Sequence, residues 1–208
     1  MNRMFFRILA PVFLLVGLAW LPEASAQLYA KGAPPGSTFV RVLNGTANPS
    51  LAGFIGDSPQ LPLPPYTAGQ FAFMPPGSVP VQIGPLKESF DFAADRFYSV
   101  ANTDSGLKVF ELEGFKSQLK AMVVVLNLLP DTTVSLKTSD GKTAIIEGVV
   151  PFKAAQREIN PLAITMALFK GDQKIADVPS TVLERGKASS LIVGGTVSVP
   201  VLRWDEQK

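Results

Sequence analysis

From residue 27 onward the chain is a succession of short apolar runs cut by glycine and proline, with almost no stretch placing apolar residues at i, i+3, i+4 and i+7. A helix needs that stripe to have a face to bury, whereas a strand needs only a short apolar or alternating run between turn formers. The 17 glycines and 18 prolines among the 208 residues supply those turn formers. The expected class is therefore all-β. Strands are predicted at 38–43, 51–55, 69–73, 79–83, 88–92, 97–101 and 109–112. After a polar connection they resume at 121–127, 133–138, 142–147, 149–152, 164–169, 173–177, 181–183, 188–193 and 199–204. Asn44-Gly45, Asp140-Gly141 and Gly171-Asp172 read as tight turns, because those residues tolerate positive φ.

The two halves carry a weak internal repeat. Phe39-Val40-Arg41-Val42-Leu43-Asn44 lies over Met122-Val123-Val124-Val125-Leu126-Asn127. The stretch from Gly69 to Pro75 lies loosely over that from Gln156 to Pro161, and Arg96-Phe97-Tyr98-Ser99-Val100 over Ala188-Ser189-Ser190-Leu191-Ile192. Evenly spaced short strands in two such units predict two tandem small antiparallel β-sandwich domains, at 27–113 and 118–208, joined by a linker at 114–117. A single larger barrel is the alternative.

Residues 1–26 have the three parts of a secretory signal: Arg3 and Arg7, an apolar run over 8–21, and Ala24-Ser25-Ala26 as a cleavage site, with the cut after Ala26. The run is shorter than the roughly 20 residues that cross a bilayer, so the expectation is a soluble exported protein rather than an anchored one. Export permits disulfides, yet the chain has no cysteine; its domains must hold themselves by core burial.

The chain also has no histidine, and its formal charge is +2. Imidazole acid/base catalysis, thiol nucleophiles and zinc sites built from Cys or His are excluded, and Lys and Arg are too scattered for a nucleic-acid footprint. Phe54-Ile55-Gly56-Asp57-Ser58 has the local form of an SGNH-type nucleophile, but such a serine needs a histidine base, so a turn after a strand is favoured. Glu111 and Glu113 share a strand face and read as solvated residues, not an acid/base pair. Asn44-Gly45-Thr46 matches a glycosylation acceptor in form and is read as turn chemistry. Neither a cofactor nor a metal site is expected. Exposed aromatics can stack on sugars, and Tyr29, Tyr66 and Trp204 are the candidates, Tyr66 foremost because it follows a proline-rich extended stretch. Phe71, Phe73, Phe90, Phe92 and Phe97 alternate with small or polar residues and are expected to be buried.

Several stretches carry a family resemblance. Leu28-Tyr29, Gly32, Pro35-Gly36-Ser37, Phe39-Val40-Arg41-Val42 and Asn44 resemble the amino-terminal region of the AlgF family, accessory proteins of alginate O-acetylation. Closer still are Leu136-Lys137-Thr138-Ser139-Asp140-Gly141-Lys142-Thr143, Arg157-Glu158-Ile159-Asn160-Pro161, Ala167-Leu168 with Gly171-Asp172 and Lys174, and Leu183-Glu184-Arg185-Gly186. The resemblance spans essentially the whole chain after residue 26 and is thinnest over the proline-rich 49–85. It implies a periplasmic protein required for acetylating an exopolysaccharide, working beside SGNH-type acetyltransferases and a membrane-bound O-acyltransferase. A non-catalytic adaptor fits the histidine-free composition; a carbohydrate-binding module making weak polysaccharide contact is the alternative. Arg157, Glu158, Glu184 and Arg185 are the candidate partner-binding residues, since charges flanking turns can anchor a partner. The plainer reading is that these stretches shape turns, with Glu158 and Arg185 paired at the surface.

Overall fold

Sixteen strands and no helix make up residues 32–206, the part of the chain that the computed structural model describes. The expected signal segment, residues 1–26, and Tyr29 lie outside the described residues. In the first half the strands are β1 (Thr38–Asn44), β2 (Gly53–Ile55), β3 (Ser58–Gln60), β4 (Ala72–Met74), β5 (Gly77–Ile83), β6 (Leu86–Phe92), β7 (Arg96–Thr103) and β8 (Gly106–Glu113). In the second they are β9 (Ala121–Asn127), β10 (Val134–Thr138), β11 (Ala144–Val149), β12 (Ala154–Ile159), β13 (Met166–Lys170), β14 (Gln173–Asp177), β15 (Ala188–Gly195) and β16 (Pro200–Glu206).

The strands form four four-stranded sheets: sheet I, β3-β2-β5-β6; sheet II, β4-β1-β7-β8; sheet III, β12-β9-β15-β16; and sheet IV, β11-β10-β13-β14. Adding eight to every strand number of sheets I and II reproduces IV and III, so the faint repeat in the sequence is a complete repeat of topology. The sheets are not purely antiparallel. β1 runs parallel to β7 and β9 parallel to β15, because in each half a whole outer sheet is inserted in sequence between the two central strands, and the chain returns by a crossover.

Three apolar clusters show how the sheets stack. Val40, Val42, Ile55, Val81, Val100 and Phe92 fill the space between I and II. Val123, Val125, Leu136, Leu168, Leu191 and Val193 do the same between III and IV. The third cluster joins the halves: Leu43, Ala101, Phe110 and Leu112 from sheet II meet Met122, Val124, Leu126 and Ile192 from sheet III. The order is thus I–II–III–IV, and the inner sheets are covered on both faces. This explains β9, whose seven residues are all buried: odd positions face sheet IV and even positions face sheet II. Each fully buried Leu, Ile or Phe of this shared layer contributes roughly 1.5–3 kcal/mol. Residues 33 onward accordingly form one compact unit.

Several local expectations are corrected. Asn44-Gly45 is not a hairpin turn, for β1 pairs with β4 and β7 and never with β2. Asn44 is fully buried at the strand end, where its Nδ2 donates to the carbonyls of Asn48, Leu63 and Pro64 and its Oδ1 accepts from Thr46. Asn127, its partner in the repeat, donates to Thr132 and Val149 and accepts from the Leu129 amide. The repeated Asn is a staple, tying its strand end to loop carbonyls and, in the second half, also to the end of β11. β3 and β12 escaped sequence reading because Pro59 and the polar run Gln156-Arg157-Glu158 hide their edge positions. Residues 149–152, expected as a strand, hold the end of β11 and then a turn with Phe152 at φ 54°. Residues 181–183 make only an isolated bridge, Val182 to Ala163. Phe92 is buried as expected, but Phe73, on the terminal strand β4, is 47% exposed.

Candidate functional site

The four charged residues singled out from the sequence do not form one cluster. Arg157 and Glu158 are neighbours on β12 and so point to opposite faces. Arg157 reaches over to β11, its Nη1 donating to the carbonyls of Ala144 and Ile145, both at 3.1 Å. It ties the edges of sheets III and IV together. Glu158 lies in register with Met122 and Ala188, on the face toward sheet II, and is exposed. Glu184 and Lys187 pair at 2.8 Å, each side chain half exposed, a contact of roughly 0–1 kcal/mol. The expected Glu158–Arg185 pair does not form. Gly186, at φ 71°, turns the chain and donates its N–H to the Lys120 carbonyl.

These stretches converge on one end of the shared layer, where a cleft of about 190 Å³ opens between the halves, lined by Phe97, Leu112, Phe115, Met122, Gln156 and Gly186. Its polar groups are committed. Gln156 clamps the Glu113 backbone, accepting from its N–H at 3.1 Å and donating to its carbonyl at 3.2 Å. The Glu113 and Glu111 carboxylates both face Arg96, at 3.2 and 3.6 Å. The cleft can take an apolar group, but it presents no group arranged to move a proton.

The aromatic candidates are corrected in part. Tyr66 is buried, 8% exposed, with its ring packed against Gly194 of β15, so it offers no platform to a sugar. The proline-rich stretch before it bends Tyr66 into a turn at φ 52° instead of running out along the surface. Trp204 is half-buried against the core between sheets III and IV, and its indole N–H donates to the Pro179 carbonyl at 2.8 Å. Ser58 follows the two-residue turn Gly56-Asp57 of the β2–β3 hairpin, and the Gln60 side-chain amide donates to its hydroxyl oxygen at 3.5 Å.

One constellation escaped the sequence reading. Arg41, in the middle of β1 and 2% exposed, crosses the layer between the halves. Its Nη1 donates to Asp205 of β16 at 2.5 Å, Nε to Ser99 Oγ at 2.8 Å and Nη2 to Ser190 Oγ at 3.5 Å, and the guanidinium lies 4.5 Å from the Phe71 ring centre. Burial pulls its pKa down from the usual arginine value, and the Asp205 charge and hydrogen bond oppose that shift. The available signal was a lone cation inside the apolar run Phe39-Val40-Arg41-Val42-Leu43, where a charge is tolerated only if it finds a partner.

Comparison with known proteins agrees with the resemblance. A family model described as "Alginate O-acetyl transferase AlgF" matches residues 13–190. The chain is 39% identical over 174 residues to the alginate biosynthesis protein AlgF of Pseudomonas putida, covering 83% of this chain and 80% of that protein. With the AlgF of Pseudomonas aeruginosa it shares 35% over 170 residues, 81% and 78% of the two chains. Two solved structures are similar: the C-terminal domain of Pseudomonas aeruginosa AlgF, with 37% identity and a TM-score of 0.39 over 43% of this chain and 99% of that one, and the N-terminal domain of the same protein, with 26% identity and a TM-score of 0.34 over 38% and 96%. With a family model spanning most of its length and relatives above 30% identity over four-fifths of it, the chain belongs to the AlgF family.

Proposed function

We propose that this chain is a non-catalytic periplasmic adaptor in the O-acetylation of an exopolysaccharide, alginate or a similar polymer, and that it bridges the enzymes that carry and transfer acetyl groups. The observation that carries the reading is the welding of two like sandwiches into one body through a shared apolar layer, which leaves the surfaces of two homologous but different halves at a fixed separation. Holding an SGNH-type acetyltransferase on one half and a membrane-bound O-acyltransferase or second acetyltransferase on the other raises their effective concentration without new chemistry. Membership of the AlgF family supplies the pathway.

The family description names a transferase, and the residues speak against acyl transfer by this chain. An acetyl-carrying serine of the SGNH type needs a histidine base to take its proton; the chain contains no histidine, and Ser58 sits at the start of a hairpin strand. Presentation of the polymer by aromatic stacking is the weaker reading, since Tyr66 is buried and the Trp204 N–H is already bonded.

The test is capture of partners from the native cell envelope on the tagged protein lacking residues 1–26, with parallel binding to polymannuronate. The expected result is recovery of polysaccharide acetyltransferases without retention of polymer, and full acetylation in a deletion strain complemented with Ser58→Ala. Polymer binding with no enzyme recovered would replace the adaptor by a carbohydrate-binding module.

A further inference from the structure

The internal repeat provides a template for each half. In the second half β10, β11 and β12 have five, six and six residues, whereas their counterparts β2, β3 and β4 have three each. The shortening falls in the segment where seven prolines lie between residues 59 and 80. It opens one corner of the sandwich. Two adjoining depressions of about 430 and 280 Å³ share Phe73, Met74, Pro75 and Pro76. The first continues past Asp57 and Val79, the second past Pro34 and Pro35. β4 is the terminal strand of sheet II, with no strand on its outer side among the described residues.

Charge selects the occupant. Asp57 lines the first depression; Asp91 lies opposite Ser78, which also lines it; and the Asp95 amide donates to the Ser37 carbonyl beside the second. All three are exposed, and among the described residues none takes part in an ion pair. Among the described residues, no lysine or arginine lines either depression. An apolar, proline-walled groove along the outer edge of a strand, with the Asp57 carboxylate in its lining and Asp91 and Asp95 close by, suits an extended segment with apolar side chains and flanking cations.

We propose that this corner, formed by β4 and the turn of the β2–β3 hairpin, docks an extended segment of a protein partner that carries lysine or arginine beside apolar residues. The inference rests on the adaptor reading for the identity of the partner, while the chemistry of the groove stands on the geometry alone.

The test uses the 15N-labelled protein lacking residues 1–26 and a synthetic octapeptide of alternating lysine and leucine, with glutamate–leucine and lysine–serine octapeptides as controls. Expected are amide shifts at Ser37, Phe73, Met74, Gly77 and Ser78 with the lysine–leucine peptide. Affinity should fall roughly ten-fold for either control peptide and for Asp57→Lys or Phe73→Ser, consistent with loss of one anchor or charge contact. Both side chains are exposed, so thermal stability should hold. Equal affinity for all peptides, shifts elsewhere or no shifts would overturn the proposal. So would concentration-dependent shifts at the corner without peptide, which assign it to a second copy, or shifts there on adding polymannuronate. Two outcomes separate the readings. If the Asp57→Lys/Phe73→Ser protein captures acetyltransferases as well as the native one, the docking corner falls and the adaptor survives; if the peptide binds at the corner but no enzyme is captured, the adaptor falls and the corner stands.

Discussion

Replacing Asp205 by Asn tests how the two halves are held. The change keeps the shape of the side chain and removes its charge, leaving a guanidinium that is 2% exposed with two serine hydroxyls and the face of Phe71 for company. Removing one partner of a buried pair costs about 3–5 kcal/mol, because the remaining charge stays buried without compensation. Asp205 is itself 22% exposed, so water can approach and the lower end applies, about 3 kcal/mol. With a urea m-value of about 2 kcal/mol/M for a unit of this size, the unfolding midpoint should fall by about 1.5 M. Trp204, the only tryptophan once residues 1–26 are removed, adjoins Asp205 and reports the transition by its fluorescence. Arg41→Met combined with Asp205→Leu should recover most of the loss, since an apolar pair of similar volume removes the need to compensate a buried charge. A midpoint shift below about 0.3 M for Asp205→Asn, or a double variant no better than the single, would refute the claim that an uncompensated cation is what destabilises the protein.

Three further outcomes follow from particular contacts. Gly194→Ala would set a Cβ 2.3 Å from two ring carbons of Tyr66, so the ring must leave its seat; the expected loss is about 2–3 kcal/mol, read as a melting temperature lowered by about 6–10 °C, and Tyr66→Ala in the same chain should relieve part of it. Asn127→Ala strips partners from the Thr132 and Val149 carbonyls and the Leu129 amide, all at buried residues, and should cost about 2–4 kcal/mol in urea unfolding. The Asp140 carboxylate accepts from the Thr138 hydroxyl and the Lys142 amide, which hold its pKa below the ordinary aspartate value, the hydroxyl most strongly. The stability it lends is present above that ordinary value and is lost as pH falls through the lower native one; a carboxyl 13C titration should show the lowered midpoint, and Thr138→Val should raise it.

The repeat shows where sequence reading reached its limit. β1 and β9 were legible because a run of six or seven residues with an apolar majority between turn formers fits nothing better than an interior strand. Asn44 looked like a turn residue and Asn127 like the last residue of a strand, since the sequence does not display that carbonyls from residues 63 and 64 or from 132 and 149 will come to them. Glu158 and Arg157 were grouped as charges flanking a turn, and the pleat of β12 set them on opposite faces.

Strand identity, the all-β class and the doubling of the fold were written locally, in apolar runs, turn residues and the order in which they recur, because a strand's faces follow from a period of two. The pairing of β1 with β7 across more than fifty residues, the third apolar layer and the meeting of Arg41 with Asp205, 164 residues apart, are decided by which faces come together. No local pattern encodes them. The same holds for Tyr66 and Phe73, one read as exposed and the other as buried: each was judged by its neighbours in the chain, and the packing of sheet II against sheet III covered the first while the shortened edge at β4 uncovered the second.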